Sequence, residues 1–168
     1  MARKDAELAR NVVLALIVNE PRHGWAVQEE LSPKGEIGRA WSLSRQLVYR
    51  AIDTLEEDGL VKRAAPKDRG GADRVVITPT AKGKRKVETW LNEPVEHIRD
   101  VRTDLVVKLM LRERFGLARG SFLRSQRDQF EPLITAIKST KDHSPVGIWR
   151  RESASAVWRY LNELEKKN

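Results

Sequence analysis

Arg45, Gln46, Tyr49 and Arg50 bring two guanidiniums, an amide and a phenol into one short stretch of the chain. On a helix these positions share one face, because residues four apart lie one turn above another, while Leu47, Val48, Ala51, Ile52 and Leu55 fall on the other. Such side chains donate and accept hydrogen bonds; they are not a metal-ligand set. Arginine matches the paired acceptors on the edge of guanine and glutamine the donor and acceptor of adenine, while tyrosine and arginine also reach phosphate oxygens. An apolar rear behind this front suits a helix that docks in the major groove of double-stranded DNA.

The elements around it are legible from pattern. Ser44 stands where a hydroxyl caps the first turn, and Gly59 where a left-handed residue stops the helix. Upstream, Leu8, Val12, Val13, Leu16 and Ile17 recur at helical spacing and predict a first helix over residues 6–19, punctuated by Pro21 and Gly24. Residues 25–31 fit a short second helix, closed by Ser32, Pro33, Lys34 and Gly35. Downstream the period changes: residues 60–63 and 74–78 are β-prone runs flanking a charged, glycine-containing stretch at 66–73, the pattern of a hairpin. Thr80 then caps a fourth helix to about Asn92, with Val87, Trp90 and Leu91 turned inward. Three helices followed by a β-hairpin make a winged helix-turn-helix, expected over residues 1–92.

Residues 93–168 read as entirely helical. Val101, Leu105, Val106, Leu109 and Met110 line one segment; Phe122, Leu123, Phe130, Leu133, Ile134 and Ile137 line a second near coiled-coil spacing; Trp149, Val157, Leu161 and Leu164 line the last. Breaks fall near Gly116 and at 143–147. Long amphipathic helices beside a small domain bury against one another or against a second subunit. Leu105, Leu109, Phe130, Leu133, Ile137 and Leu161 are therefore the candidate dimerisation residues. The expected fold is mainly α: a winged helix-turn-helix domain with a β-hairpin wing, then an all-helical C-terminal dimerisation region.

The formal net charge of +8 favours an anionic partner, but residues 1–92 and 93–168 each carry +4, so net charge does not choose between them. Local pattern does. Residues 42–51 hold Arg45 and Arg50 without an acid, whereas Asp53, Glu56, Glu57 and Asp58 gather at the far end of the helix and read as a solvated face. The absence of cysteine excludes disulfides, thiolate metal sites and a cysteine nucleophile. His23, His97 and His143 lack metal-ligand spacing, and neither a glycine-rich phosphate loop nor a nucleophile elbow occurs. No catalytic residue, metal or cofactor is expected, and the chain does not read as an enzyme. His23 is expected to cap or pack in the turn after the first helix. The apolar run at 12–18 is too short for a signal peptide or a membrane span, which makes the cytoplasm the expected location.

Five motifs keep their spacing along the first half: Pro21-Arg22-His23-Gly24-Trp25, Ser44 to Arg50, Leu55 to Val61, Asp73-Arg74 and Thr80-Ala81-Lys82-Gly83. Through them residues 8–92 resemble the winged helix of the PadR family of transcriptional regulators, and most closely its longer, AphA-like branch. Ile77 stands where that family usually has an aromatic residue, and Pro79 at a normally aliphatic position. Residues 100–109 resemble the family's C-terminal dimerisation region in pattern. The resemblance implies a sequence-specific regulator, a repressor in this reading, that binds a palindromic operator as a homodimer. The expected DNA contacts are Ser44, Arg45, Gln46, Tyr49 and Arg50 in the helix, with Lys67, Arg69 and Arg74 in the hairpin. A small aromatic effector is also implied; Trp90 or Trp149 could serve as its stacking plate, although no residue is assigned as a ligand site. The competing reading is a winged helix that docks on an acidic protein surface and reads no DNA.

Overall fold

The computed structural model describes residues 3–63 and 75–166, and the chain divides into two compact units, Met1–Asn92 and Glu93–Asn168. In the first unit, α1 (Arg3–Asn19) is the central element. Residues Val12 to Ile17 have no accessible surface, because α2 (Gly24–Glu30), α3 (Arg45–Glu57), α4 (Ala81–Asn92) and a strand of the sheet all pack on it.

That sheet has three antiparallel strands, β1 (Arg22–His23), β2 (Val61–Arg63) and β3 (Val76–Pro79), in the order β1-β3-β2. The hairpin strands pair Val61 with Pro79 and Arg63 with Ile77. On the other edge of β3, Arg22 pairs with Ile77 and His23 with Val76. This third strand has no sequence signature, since two residues carry no alternation; it exists because β3 offers a second edge. His23 therefore packs and does not cap: it precedes α2 without a side-chain capping bond, and its buried Nδ1 has no hydrogen-bond partner.

Local chemistry fixes the ends of α3. The Leu47 N–H donates to Ser44 Oγ at 3.4 Å, and Leu43 N–H donates to the Leu31 carbonyl at 2.9 Å, which ties the entry of α3 to the exit of α2. At the far end Gly59 takes φ 68°, and the Gly59 and Leu60 N–H groups return to the Glu56 and Leu55 carbonyls at 2.9 and 2.8 Å. This double closure satisfies carbonyls the helix leaves open and turns the chain into β2.

Thr80 caps α4 by accepting from the Gly83 N–H at 3.1 Å, and donates to the carbonyls of Gly59 and Leu60. A Cβ on Gly83 would lie 2.2 Å from the Leu60 carbonyl oxygen. Gly83→Ala is therefore expected to force α4 off the start of β2 and cost about 1–3 kcal/mol, seen as a lowered urea midpoint with an unchanged slope.

In the second unit, residues 93–97 are not helical, contrary to the sequence expectation. Pro94 interrupts the pattern, and the side-chain amide of buried Gln126 takes the place of a helical neighbour: its Oε1 accepts from Val95 N–H at 2.7 Å and its Nε2 donates to the Val95 carbonyl at 2.9 Å. A short 3₁₀ turn (Ile98–Asp100) and a π-helical turn (Val101–Leu105) lead into α5 (Val106–Arg114), α6 (Arg119–Ser139) and α7 (Pro145–Lys166).

Leu105, Leu109, Phe130 and Leu161, expected between subunits, belong to this unit's own core, where Leu105, Phe130 and Leu161 have no accessible surface. A side chain already sealed within one chain has no area left to bury against another, so these four are reassigned to internal packing. Leu133 is exposed and Ile137 partly so.

Candidate nucleic-acid interface

The rear of α3 is held by burial of Val48, Ala51, Ile52 and Leu55, and this fixes which residues face outward. Ser44, Arg45, Gln46 and Arg50 are exposed, and Tyr49 is half-buried. The Tyr49 ring lies against α2, where a Cβ on Gly24 would sit 3.2 Å from it. The Arg45 guanidinium carbon lies 5.4 Å from the ring centroid. Tyr49 is thus a shelf for Arg45, a cation–π contact that limits the rotamers of the arginine.

The acids at the far end of α3 are not simply a solvated face. Asp53 and Glu56 both bind the Arg63 guanidinium on β2, and Glu56 also accepts the Arg63 N–H at 3.3 Å. Hydrogen bonding to Asp53, reinforced by the charge of Glu56, raises the Arg63 pKa above its ordinary value. Asp58 pairs with Arg10 at 3.5 Å, and Lys82 donates to the Asp58 carbonyl at 2.9 Å. Asp53, Glu56 and Asp58 are therefore each paired, and the first two turns of α3 carry Arg45 and Arg50 with no acid. Arg63 was not singled out by sequence; its only signal was a basic residue on a β-prone run after an acidic helix end. Arg63→Ala is expected to cost no more than about 1 kcal/mol of stability, as an exposed pair should, yet to weaken polyanion binding at low salt by freeing two carboxylates. Heparin-column elution would show it.

Four of the expected contacts thus lie together on one and a half turns of α3, with Ser44 capping its start. Lys67, Arg69 and Arg74 fall outside the described residues. The two tryptophans considered as stacking plates separate clearly: Trp90 is buried in α4, whereas Trp149 is 73% exposed at the start of α7. Burial removes Trp90 from consideration. Among the described residues no group of three His, Asp or Glu is placed to hold a metal ion, and no helix is long and apolar enough to cross a membrane.

Residues 13–89 match the family model described as the transcriptional regulator PadR-like family. No curated protein matches the chain. Among solved structures, Bacillus subtilis PadR in complex with operator DNA is 16% identical with a TM-score of 0.45, over 94% of this chain and 97% of that one. Bacillus subtilis PadR in complex with p-coumaric acid is 15% identical with a TM-score of 0.47, over 95% and 98%. The protein smu.1604c of Streptococcus mutans UA159 is 14% identical with a TM-score of 0.46, over 92% and 96%. The family is one of transcription regulators, not of enzymes, and its model spans α3 together with the sheet and most of α4. Residues 13–89, which hold α3, the sheet and most of α4, are thus a domain that matches the PadR-like family of transcriptional regulators.

Proposed function

We propose that the chain reads a specific DNA sequence, acting in the cytoplasm as a homodimeric repressor on a palindromic operator. The observation that supports this most is the front of α3, where Arg45, Gln46 and Arg50 stand exposed around Tyr49 while Asp53, Glu56 and Asp58 are occupied by Arg63 and Arg10. In the proposed complex the first turn of α3 enters the major groove, with Arg45 forked onto guanine O6 and N7 and Gln46 onto adenine N6 and N7. Ser44, Tyr49 and Arg50 take phosphate oxygens, and Lys67, Arg69 and Arg74 follow the backbone from the hairpin.

One helix reads too few base pairs to select a genomic site, so two copies must act on half-sites about 34–36 Å apart. The helical unit is the proposed dimerisation element. Of its candidate residues Leu133 and Ile137 retain surface, and exposed Val146 and Ile148 extend the same apolar character. A small aromatic effector that changes DNA affinity completes the proposal.

Fluorescence anisotropy against selected genomic fragments, repeated at several salt concentrations, tests it. A preferred sequence and a steep fall of affinity with salt, near 0.9 per phosphate neutralised, support the regulator. No binding at low salt would favour the same helix front docking on an acidic protein surface. Sedimentation as a monomer at micromolar concentration would remove the dimer.

A further inference from the structure

We propose that Trp25, at the start of α2, is a contact for the backbone of double-stranded DNA: its indole N–H donates to a phosphate oxygen and its ring covers the neighbouring deoxyribose. This rests on the reading of α3 as a DNA-entering helix and adds to it an anchor from a second element. Trp25 is 54% exposed and, among the described residues of the first unit, is the only large apolar side chain left open. The helix itself puts it there. Gly24 and Val27 of α2, and Leu31 after it, are buried on one face, which sends positions 25 and 29 outward. A single open apolar residue says little by itself; its place and its hydrogen-bond donor say more.

The residue before Trp25 lies against the front of α3. A Cβ on Gly24 would stand 3.3 Å from Cζ of Tyr49, the carbon that carries the hydroxyl, and 3.4 Å from Ile52. A phosphate oxygen taken by the Tyr49 hydroxyl therefore lies beside the start of α2, where the indole is the next side chain to face outward. Arg22, the nearest cation in sequence, is already held by Glu20 at 3.1 Å and Glu30 at 3.6 Å, with its side chain 12% exposed. The indole N–H of Trp25, by contrast, has no hydrogen-bond partner among the described residues. Indole donates and does not accept, which suits a phosphate oxygen, and the flat apolar ring suits the face of a sugar.

Glu29 is exposed one turn later on the same side; its charge repels a second phosphate and confines the contact to one. A second copy of the chain is a poorer occupant. With no other large apolar side chain open among the described residues of this unit, a subunit contact at Trp25 would have no apolar centre to bury.

Fluorescence anisotropy of the full chain on a selected operator fragment and on a duplex of unrelated sequence tests the proposal. Trp25→Ala is expected to weaken both about tenfold, the order of one hydrogen bond to a charged group, because a backbone contact carries no sequence information. The loss should leave the salt dependence unchanged, since a neutral donor releases no counterion. Trp25→Arg should restore affinity and steepen that dependence by about 0.9. The emission that Trp25→Phe removes should be quenched readily by acrylamide in the free protein and protected when either duplex is added. Unchanged circular dichroism and urea midpoints in the three variants separate these effects from folding. Parent-like affinity of Trp25→Ala overturns the proposal and leaves the reading of α3 intact, as does a loss confined to the operator or quenching that duplex leaves unchanged. Conversion of a dimer to a monomer by Trp25→Ala overturns it in favour of a subunit contact. A parent protein that binds neither duplex at low salt overturns both readings.

Discussion

Arg45→Ala is expected to lower affinity for a selected operator by roughly 1–3 kcal/mol and to relax preference at one base pair of each half-site, while affinity for unrelated DNA changes little. The physical reason is the shelf beneath the side chain. With its guanidinium carbon 5.4 Å from the Tyr49 ring centroid, Arg45 is limited in its rotamers, so less rotamer freedom is lost when a guanine edge accepts two bonds. Tyr49→Leu should then reduce selectivity when Arg45 is present and have little further effect in the Arg45→Ala background, a coupling that an independent phosphate contact would not produce. Lys67→Ala, by contrast, should weaken all sequences alike and flatten the salt dependence. Anisotropy on matched and mismatched operators measures each of these, and equal operator binding by Arg45→Ala and the parent would remove the base contact.

Phe130→Ala is expected to destabilise the helical unit by about 3–5 kcal/mol, because the ring has no accessible surface and its loss opens a cavity in a close-packed core. For a unit of this size that is a large part of the total stability, so Phe130→Leu serves as the milder probe. Both losses should appear in urea unfolding as midpoints independent of protein concentration. A side chain buried between subunits would behave differently, with a loss that shrinks as concentration rises. Leu133→Ala supplies the contrast: from an exposed position it should leave the unit's own stability nearly unchanged and weaken self-association.

The difference between Phe130 and Leu133 shows what periodicity can and cannot say. Both lie on the apolar stripe of α6, three residues apart, and hydrophobic spacing treats them as equals. Only the positions of α5, α7 and the segment around Val95 decide that one is sealed and the other open. The same holds for β1. Nothing in Arg22-His23 announces a strand, since its conformation is imposed by the free edge of β3. Residues 93–97 failed as a helix for a related reason: Gln126, more than thirty residues away, supplies the hydrogen bonds that a helix would have supplied locally. The acidic end of α3 looked solvated because its partner Arg63 lies beyond a turn whose geometry pairing alone reveals.

What the sequence determined by itself is whatever depends on neighbours in the chain. The two faces of α3, the Ser44 cap, the Gly59 stop, the Thr80 cap and the grouping of Arg45, Gln46, Tyr49 and Arg50 all follow from spacings of a few residues, where helical geometry leaves little choice. Tertiary structure decided the rest: that Tyr49 rests on α2 beside Arg45, that Arg63 pairs with Asp53 and Glu56, and that Trp90 is buried while Trp149 is open. These depend on residues far apart in the chain, and close packing assigns their neighbours only once every element has found its place.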